Sequence, residues 1–305
     1  MGGYLAKRAL LALAVAVTVS LVNFTMVLLS GDIAVSIAGP TATYEQLERI
    51  RRDLGLDQPI VVQYLRWLGN AVRGDFGDSL FYRTPVADLI LERLPVTLTL
   101  GISAIVFTIL VAIPLGVVAA LRPNSWIDRA ALSLAVAGQA MPSFWFGLML
   151  IVLFSVMFPI LPPSGAESWE YFIMPTVVLG YSAMPAVMRL TRSGMIEVLT
   201  SDYIRTAYAK GLRHFKVLFK HALRNAVIPV VSLAAVQFGY MLAGSIIVES
   251  IFALHGTGFL AWEAMKTADL PVVQAILFVF SLFYIVLTFL SDMLNAWLDP
   301  RIRIG

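Results

Sequence analysis

Six stretches of the chain run for about twenty residues or more with almost no charge, at roughly residues 9–29, 97–121, 131–158, 173–192, 227–249 and 272–297. A bilayer's hydrocarbon core is about 30 Å thick, so a helix needs about 20 apolar residues to cross it. A chain with six such stretches reads as an all-α polytopic membrane protein. Composition agrees, with 13% of its 305 residues charged and 59% apolar, where a soluble domain carries about 25% charge. The first stretch follows Lys7 and Arg8, as a signal peptide would. It is longer than a signal's apolar region, however, and "LLSGDIA" offers no small-x-small cleavage site, so an uncleaved anchor is expected. Cysteine is absent, which excludes disulfides, thiolate metal sites and cysteine nucleophiles.

Basic loops stay on the cytoplasmic side of a membrane. With the N-terminus inside, 14 of the 22 Lys and Arg fall on the inner side, and seven of the remainder lie in the long segment 30–95, where the rule weakens because long loops translocate regardless of charge. Both termini are therefore expected in the cytoplasm. A formal net charge of +3 gives no reason to expect a nucleic-acid partner.

The most charged run is "SDYIRTAYAKGLRHFKVLFKHALRNAVIPVV", residues 201–231. Eight Lys and Arg lie between residues 189 and 224, against Glu197 and Asp202. Each would cost roughly 2.5–3.5 kcal/mol at mid-bilayer, so the run is a cytoplasmic loop. The plainest role for it is contact with anionic membrane lipid. Its periodicity adds a second: Ser201 or Asp202 can cap a helix on which Ile204, Ala207, Tyr208 and Gly211 share a face while Arg205 and Lys210 point elsewhere. Gly211 fits a left-handed stop before a second helical run that reaches Pro229. Thr206, Ala207 and Ala209 are small enough for a partner surface to approach closely.

"DYIRTAYAKG" followed by "HALRNAVIPVV" resembles the cytoplasmic coupling loop of ATP-binding-cassette (ABC) importer permeases of the dipeptide/oligopeptide (peptide/opine/nickel) family. The general signature is Glu-Ala-Ala, three residues, then Gly; here Arg205, Thr206 and Ala207 stand in register with Gly211. The first two positions depart from it and the distance to Pro229 is longer, both as in the peptide-type branch. "LGLDQPIVVQYLRWLGNAVRGDFGDSL", "ERLPVTLTLG", "MPSFWFGLMLIVLFS", "MRLTRSGMIEVL" and "DPRIR" are similar to the first of that family's two permease subunits, so the likeness covers nearly the whole chain. It implies a type I ABC importer transmembrane domain in a bacterial inner membrane. It also implies a second homologous permease subunit, two cytoplasmic ABC ATPase subunits or domains that bind ATP and Mg, an extracytoplasmic peptide-binding protein and peptide cargo. On this resemblance the coupling helix comprises Asp202, Ile204, Arg205, Thr206, Ala207, Tyr208, Lys210 and Gly211. The ATPase-facing surface is expected at Ile204, Ala207, Tyr208 and Gly211, rimmed by Arg205 and Lys210. The chain divides into a stub and first span (1–30), an extracytoplasmic helical insert (31–95), a transmembrane core (96–298, with the coupling loop at about 194–226) and a cytoplasmic tail (299–305).

Punctuation within the insert predicts three short helices. Thr43 and Gln46 form a capping box ahead of Leu47, Ile50 and Leu54, with Gly55 as the stop. A second helix starts near Pro59 with Val61, Tyr64, Leu65, Leu68 and Val72 on its apolar face, and a third starts at Thr84-Pro85 and stops before Pro95.

Several chemistries are missing. No G-x-x-x-x-G-K-[ST] phosphate cradle is present, so no cofactor is expected in this chain and ATP must be hydrolysed elsewhere. "HGTGF" at 255–259 reads as a turn, without the strand that a nucleotide site requires. His214, His221 and His255 fall in loops, and no G-x-S-x-G elbow occurs, which argues against an intramembrane enzyme and against a metal site. An ion-coupled secondary transporter would call for an acid at mid-depth, which no span carries. Polar residues within spans are the candidates for a cargo pathway: Gln139, Gln237 and Glu249, with Gln274 and Asp292 beside them. Asp292, near an inner end, is expected to pair with a basic residue, and Glu249 to be either a cargo contact or a satisfied carboxylate. Pro114, Pro142 and Pro185 can kink their helices, and Gly239 with Ala243 reads as a packing face.

Overall fold

The computed structural model describes residues 2–30, 33–39 and 42–298; the expected tail 299–305 and its "DPRIR" lie outside them. Along the chain, α1 (Gly2–Ser30) is followed by α2 (Ile33–Ala38), α3 (Tyr44–Leu54), α4 (Ile60–Val72) and α5 (Val86–Leu121). Next come α6 (Trp126–Ala140) and α7 (Ser143–Ile151), the latter extended by a π-helical segment Val152–Met157, and then a 3₁₀ turn, Trp169–Phe172, that leads into α8 (Ile173–Leu199). The basic loop holds α9 (Asp202–Ala209) and α10 (His214–Lys216), which passes through a π segment, Val217–Leu223, into α11 (Arg224–Ala226). The chain then forms α12 (Ile228–Ile251), α13 (Thr257–Lys266) and α14 (Leu270–Leu298). Among the described residues, extended pairing is limited to an isolated bridge between Asp78 and Pro85.

Five helices, α1, α5, α8, α12 and α14, are long and apolar enough to cross a membrane. The stretch expected to supply another, 131–158, is not one helix. Met141 is extended (φ −92°, ψ 126°), because the ring of Pro142 drives the residue before it out of the helical region. Pro142 therefore ends α6 and opens α7 where a kink was expected. Pro114 and Pro185 sit inside unbroken helices.

The insert differs from expectation in three ways. Thr43 and Gln46 close the capping box from both sides, and Gly55 ends α3 at φ 69°, but α2 went unforeseen. The helix begun at Val86 runs straight through Pro95 into α5. Its missing N–H forfeits one bond, while Val86 and Ile90, buried among Leu260, Ala264 and Ile276, hold the turns before it. On α4, Tyr64, Trp67 and Ala71 turn inward, with the Tyr64 ring edge-on and the Trp67 ring tilted against Phe24 of α1. Val61, Leu65 and Val72, expected on the packing face, are exposed.

The spine of the bundle is the α5–α8 crossing. A Cβ on Gly116 would lie 2.7 Å from Thr191, and one on Gly180 would lie 2.7 Å from the Ala104 carbonyl oxygen. The Thr108 hydroxyl donates to the Gly180 carbonyl across that contact at 2.7 Å. On α12, a Cβ at Gly239 would meet the Tyr284 ring of α14 at 2.3 Å, whereas Ala243 is exposed. The paired partner expected for Asp292 is Arg8 of α1, at 3.0 Å. Because α5 is 36 residues long, its two ends stand about 54 Å apart; α13 packs at one and α9 at the other.

Gly180→Ala places a methyl group against a backbone carbonyl that cannot yield. It is expected to destabilise the bundle by about 1–3 kcal/mol, read as a lower thermal midpoint in detergent, while Gly3→Ala, in open space, leaves the midpoint unchanged.

Candidate functional site

The α9 helix is eight residues long, too short to persist alone in water. Ser201 takes the N-cap backbone geometry, but its hydroxyl donates back to the Val198 carbonyl at 2.6 Å. Gly211 ends the helix at φ 74°, donating to Tyr208, while Leu212 donates to Ala207; this double closure is a Schellman motif. The decisive contact lies on the apolar side. Ile204 and Ala207 are buried among Val117 and Ala120 of α5, Met195 of α8, and Val217, Leu218 and Ala222 of the following segment.

The docking face expected from periodicity is therefore divided. Ile204 and Ala207 are spent on the chain's own core, because that core offers the apolar surface the stripe needs. Asp202, Tyr203, Arg205, Thr206, Lys210 and Gly211 are left exposed, with Tyr208 41% exposed. The Tyr208 hydroxyl lies 2.7 Å from His214 Nδ1, and Asn225 donates to the Tyr203 hydroxyl at 3.0 Å, so the two short helical runs are tied side by side. Arg205 and Asp202 approach at 3.5 Å but are almost fully exposed, which makes that pair worth little.

Three buried carboxylates brace the bundle. Near the α9 end, Arg192 of α8 grips Asp128 with two bonds, at 2.6 and 2.7 Å. Asp128 also accepts from the Asn124 N–H, and Ser125 caps α6. The Arg192 guanidinium holds the Asp128 carboxyl below the usual carboxylate range. At the α13 end, Glu249 of α12 is fully buried and accepts from the Thr97 hydroxyl of α5 and the Phe259 N–H, both at 2.8 Å. Thr97 in turn accepts from the Thr257 N–H. "HGTGF" is the turn that wraps this carboxylate: a Cβ on Gly256 or Gly258 would strike Glu249 at 2.5 or 2.9 Å. Asp269, also fully buried, accepts from the Ser79 hydroxyl and from the Leu80 and Phe81 N–H groups, tying the insert to the loop before α14.

The pathway candidates do not converge. Gln139 is exposed and, with Ser143, Tyr181 and Ser182, lines a cavity of about 410 Å³. Gln237 is half-buried on α12. Glu249 takes the satisfied-carboxylate arrangement here, its oxygens accepting from Thr97 and from the glycine turn. Sequence reasoning passed over Thr97, Asp128 and Asp269. The two close glycines of "HGTGF" were the available signal for Glu249's partner, and Ser125 three residues before Asp128 was the signal for that cap.

Residues 112–304 match the family described as binding-protein-dependent transport system inner membrane component, and residues 1–101 match the N-terminal component of such systems. The chain belongs to this family. The permease is 42% identical over 304 residues to the glutathione transport system permease protein GsiC of Escherichia coli (strain K12), covering 99% of each chain. The GsiC of Shigella dysenteriae serotype 1 (strain Sd197) matches to the same extent. These relatives set the permease in the peptide and glutathione branch of ABC permeases and make it a multi-pass inner-membrane protein. Its fold is shared with the inward-facing MetNI methionine ABC transporter, with a TM-score of 0.57 at 17% identity, over 69% of this chain and 96% of that one.

Asp128→Ala strands a half-buried guanidinium and is expected to cost about 3 kcal/mol or more. Because the Asp128 pKa is depressed on folding, the pair's contribution is complete above the ordinary carboxylate value of about 4 and fades as pH falls through the lowered one. Thermal stability measured against pH is expected to show an acid limb in the wild type that Asp128→Asn flattens.

Proposed function

We propose that this permease is the first of two membrane subunits in an ATP-driven importer of small peptides, glutathione among them. In this reading its termini and α9 face the cytoplasm, two ABC ATPase subunits or domains bind ATP and Mg²⁺, and an extracytoplasmic binding protein delivers cargo. The observation that carries it is the two-sidedness of α9. One side is locked by Ile204 and Ala207 into the inner ends of α5 and α8, and the other presents exposed, mostly polar side chains to whatever lies outside.

A helix held in this way is a lever. Closure of an ATPase dimer against Tyr203, Arg205, Thr206, Tyr208 and Lys210 would displace α9, and the buried contacts would hand that displacement to the α5–α8 spine. Nucleotide can drive such a change only through contacts that differ between the two states, which the exposed side supplies. Gly211 terminates the lever, so its length is fixed by a left-handed residue rather than by fraying.

Purification in mild detergent is expected to recover the ATPase subunits with the permease, and liganded binding protein to stimulate their ATP hydrolysis. No described atom lies within 4 Å of a Cβ at Gly211, so Gly211→Ala meets only backbone strain of about 1–2 kcal/mol. Gly211→Glu adds a charge on the proposed docking side, and is expected to preserve membrane insertion while abolishing cargo-stimulated hydrolysis. Full stimulation in Gly211→Glu would remove the lever reading.

A further inference from the structure

The face of α8 that turns away from α5 carries a row of side chains which the lever does not use. Val178, Tyr181 and Ser182 line the cavity of about 410 Å³ beside Gln139. One turn further along the same face, Ala186, Arg189 and Ser193 line an open cavity of about 590 Å³, bounded by Leu132 of α6 and Leu233 of α12. The spacing 178, 182, 186, 189, 193 keeps both on one side of a helix. Gln237 stands four residues beyond Leu233 on α12 and so shares that side.

Two cations border the second cavity, and they differ. Arg192 is neutralised by Asp128. Arg189 is exposed and forms no ion pair with any described residue. Its guanidinium lies one turn from Arg192 and lines the open cavity with no acid beside it. The exposed residues of α1 show the contrast: Leu10, Leu11, Leu13, Val17, Leu21 and Val22 are apolar, and the hydroxyls of Thr18 and Thr25 among them are turned back onto the carbonyls of Ala14 and Leu21. The α8 face instead carries Tyr181, Ser182, Arg189 and Ser193. It also flanks the broken backbone at Met141, which a bilayer tolerates only where protein or water covers it.

We propose that this face lines the cargo route and that Arg189 is a carboxylate-binding residue on it, which favours anionic peptides over neutral or cationic ones of the same size. The proposal rests on the importer reading and adds a charge preference to it. A planar guanidinium fits a carboxylate through two parallel bonds, and an exposed one can release its cargo as the route opens.

The test uses the complete transporter in proteoliposomes with its binding protein. Uptake is measured for glutathione, for a neutral tripeptide and for a tripeptide of net charge +1. Wild type is expected to rank them in that order. Arg189→Ala should compress the ranking by about tenfold, Arg189→Glu should invert it, and Arg189→Lys should largely restore it. An unaltered ranking in Arg189→Glu overturns the site while leaving the importer reading standing. Absence of ATP-driven uptake by the wild type overturns both. If the effect of Arg189→Ala disappears in vesicles made only of phosphatidylcholine, the arginine serves anionic lipid phosphates, and the cargo site is overturned.

Discussion

Ile204 and Ala207 bury their side chains against the ends of α5 and α8, and without that contact α9 would have no reason to exist as a helix. Nucleation is unfavourable, and eight residues cannot repay it alone. Burying an isoleucine contributes about 1.5–3 kcal/mol, enough to tip a capped turn toward order. The same contact fixes where the exposed side points. Packed interiors resist compression, so in the proposed lever a push on Arg205 or Lys210 would move Val117 and Met195 rather than being absorbed between them. From there the tight Gly116 and Gly180 crossings would carry it along the bundle.

Charge is used in this molecule as joinery. A carboxylate out of water is expensive unless its oxygens are satisfied, and Asp128, Glu249 and Asp269 each obtain that satisfaction by holding backbone N–H groups of a neighbouring loop. Each therefore joins a long helix, or its edge, to a segment that would otherwise be loosely attached. Asp128 and Arg192 tie α6 to α8 near α9, and Glu249 ties α12 to α5 and to the glycine turn at the opposite end. Between those ends the crossings are made by glycine and by Thr108, whose hydroxyl bonds to backbone carbonyls, so close approach replaces charge where the spans run deepest.

Much of this plan was legible in the amino-acid order. Apolar length found the five long helices, Thr43 and Gln46 announced α3, Gly211 announced the end of α9, and the need to pair Asp292 was met by Arg8. What escaped was decided by contacts between distant segments. Periodicity identified the stripe of Ile204 and Ala207 but not its partner, because a helix face carries no label saying whether self or another chain will cover it. Pro95 reads locally as a stop, yet burial of Val86 and Ile90 over α13 overrides it. Pro142 reads locally as a kink, yet the restriction on Met141 makes it a break. Glu249 read as either a cargo contact or a satisfied carboxylate; only the fold reveals that Thr97 and "HGTGF" enclose it.

The break at Met141 acquires meaning from the joints on either side of it. Behind it, α6 is fastened to α8 through Asp128 and Arg192. Ahead of it, α7 leans on the other end of the bundle, where Gly147 lets Phe252 come close and Phe146, Leu150 and Phe154 pack around Phe252 and Leu254. A continuous helix would force both anchorages to move together. With the helical ladder interrupted at Met141–Pro142, α6 can follow the α9 end while α7 stays with the α13 end, and the backbone rotation is absorbed at a residue already outside the helical region. The cavity lined by Gln139, Met141 and Ser143 lies at that break and is closed on its other side by Val178, Tyr181 and Ser182 of α8.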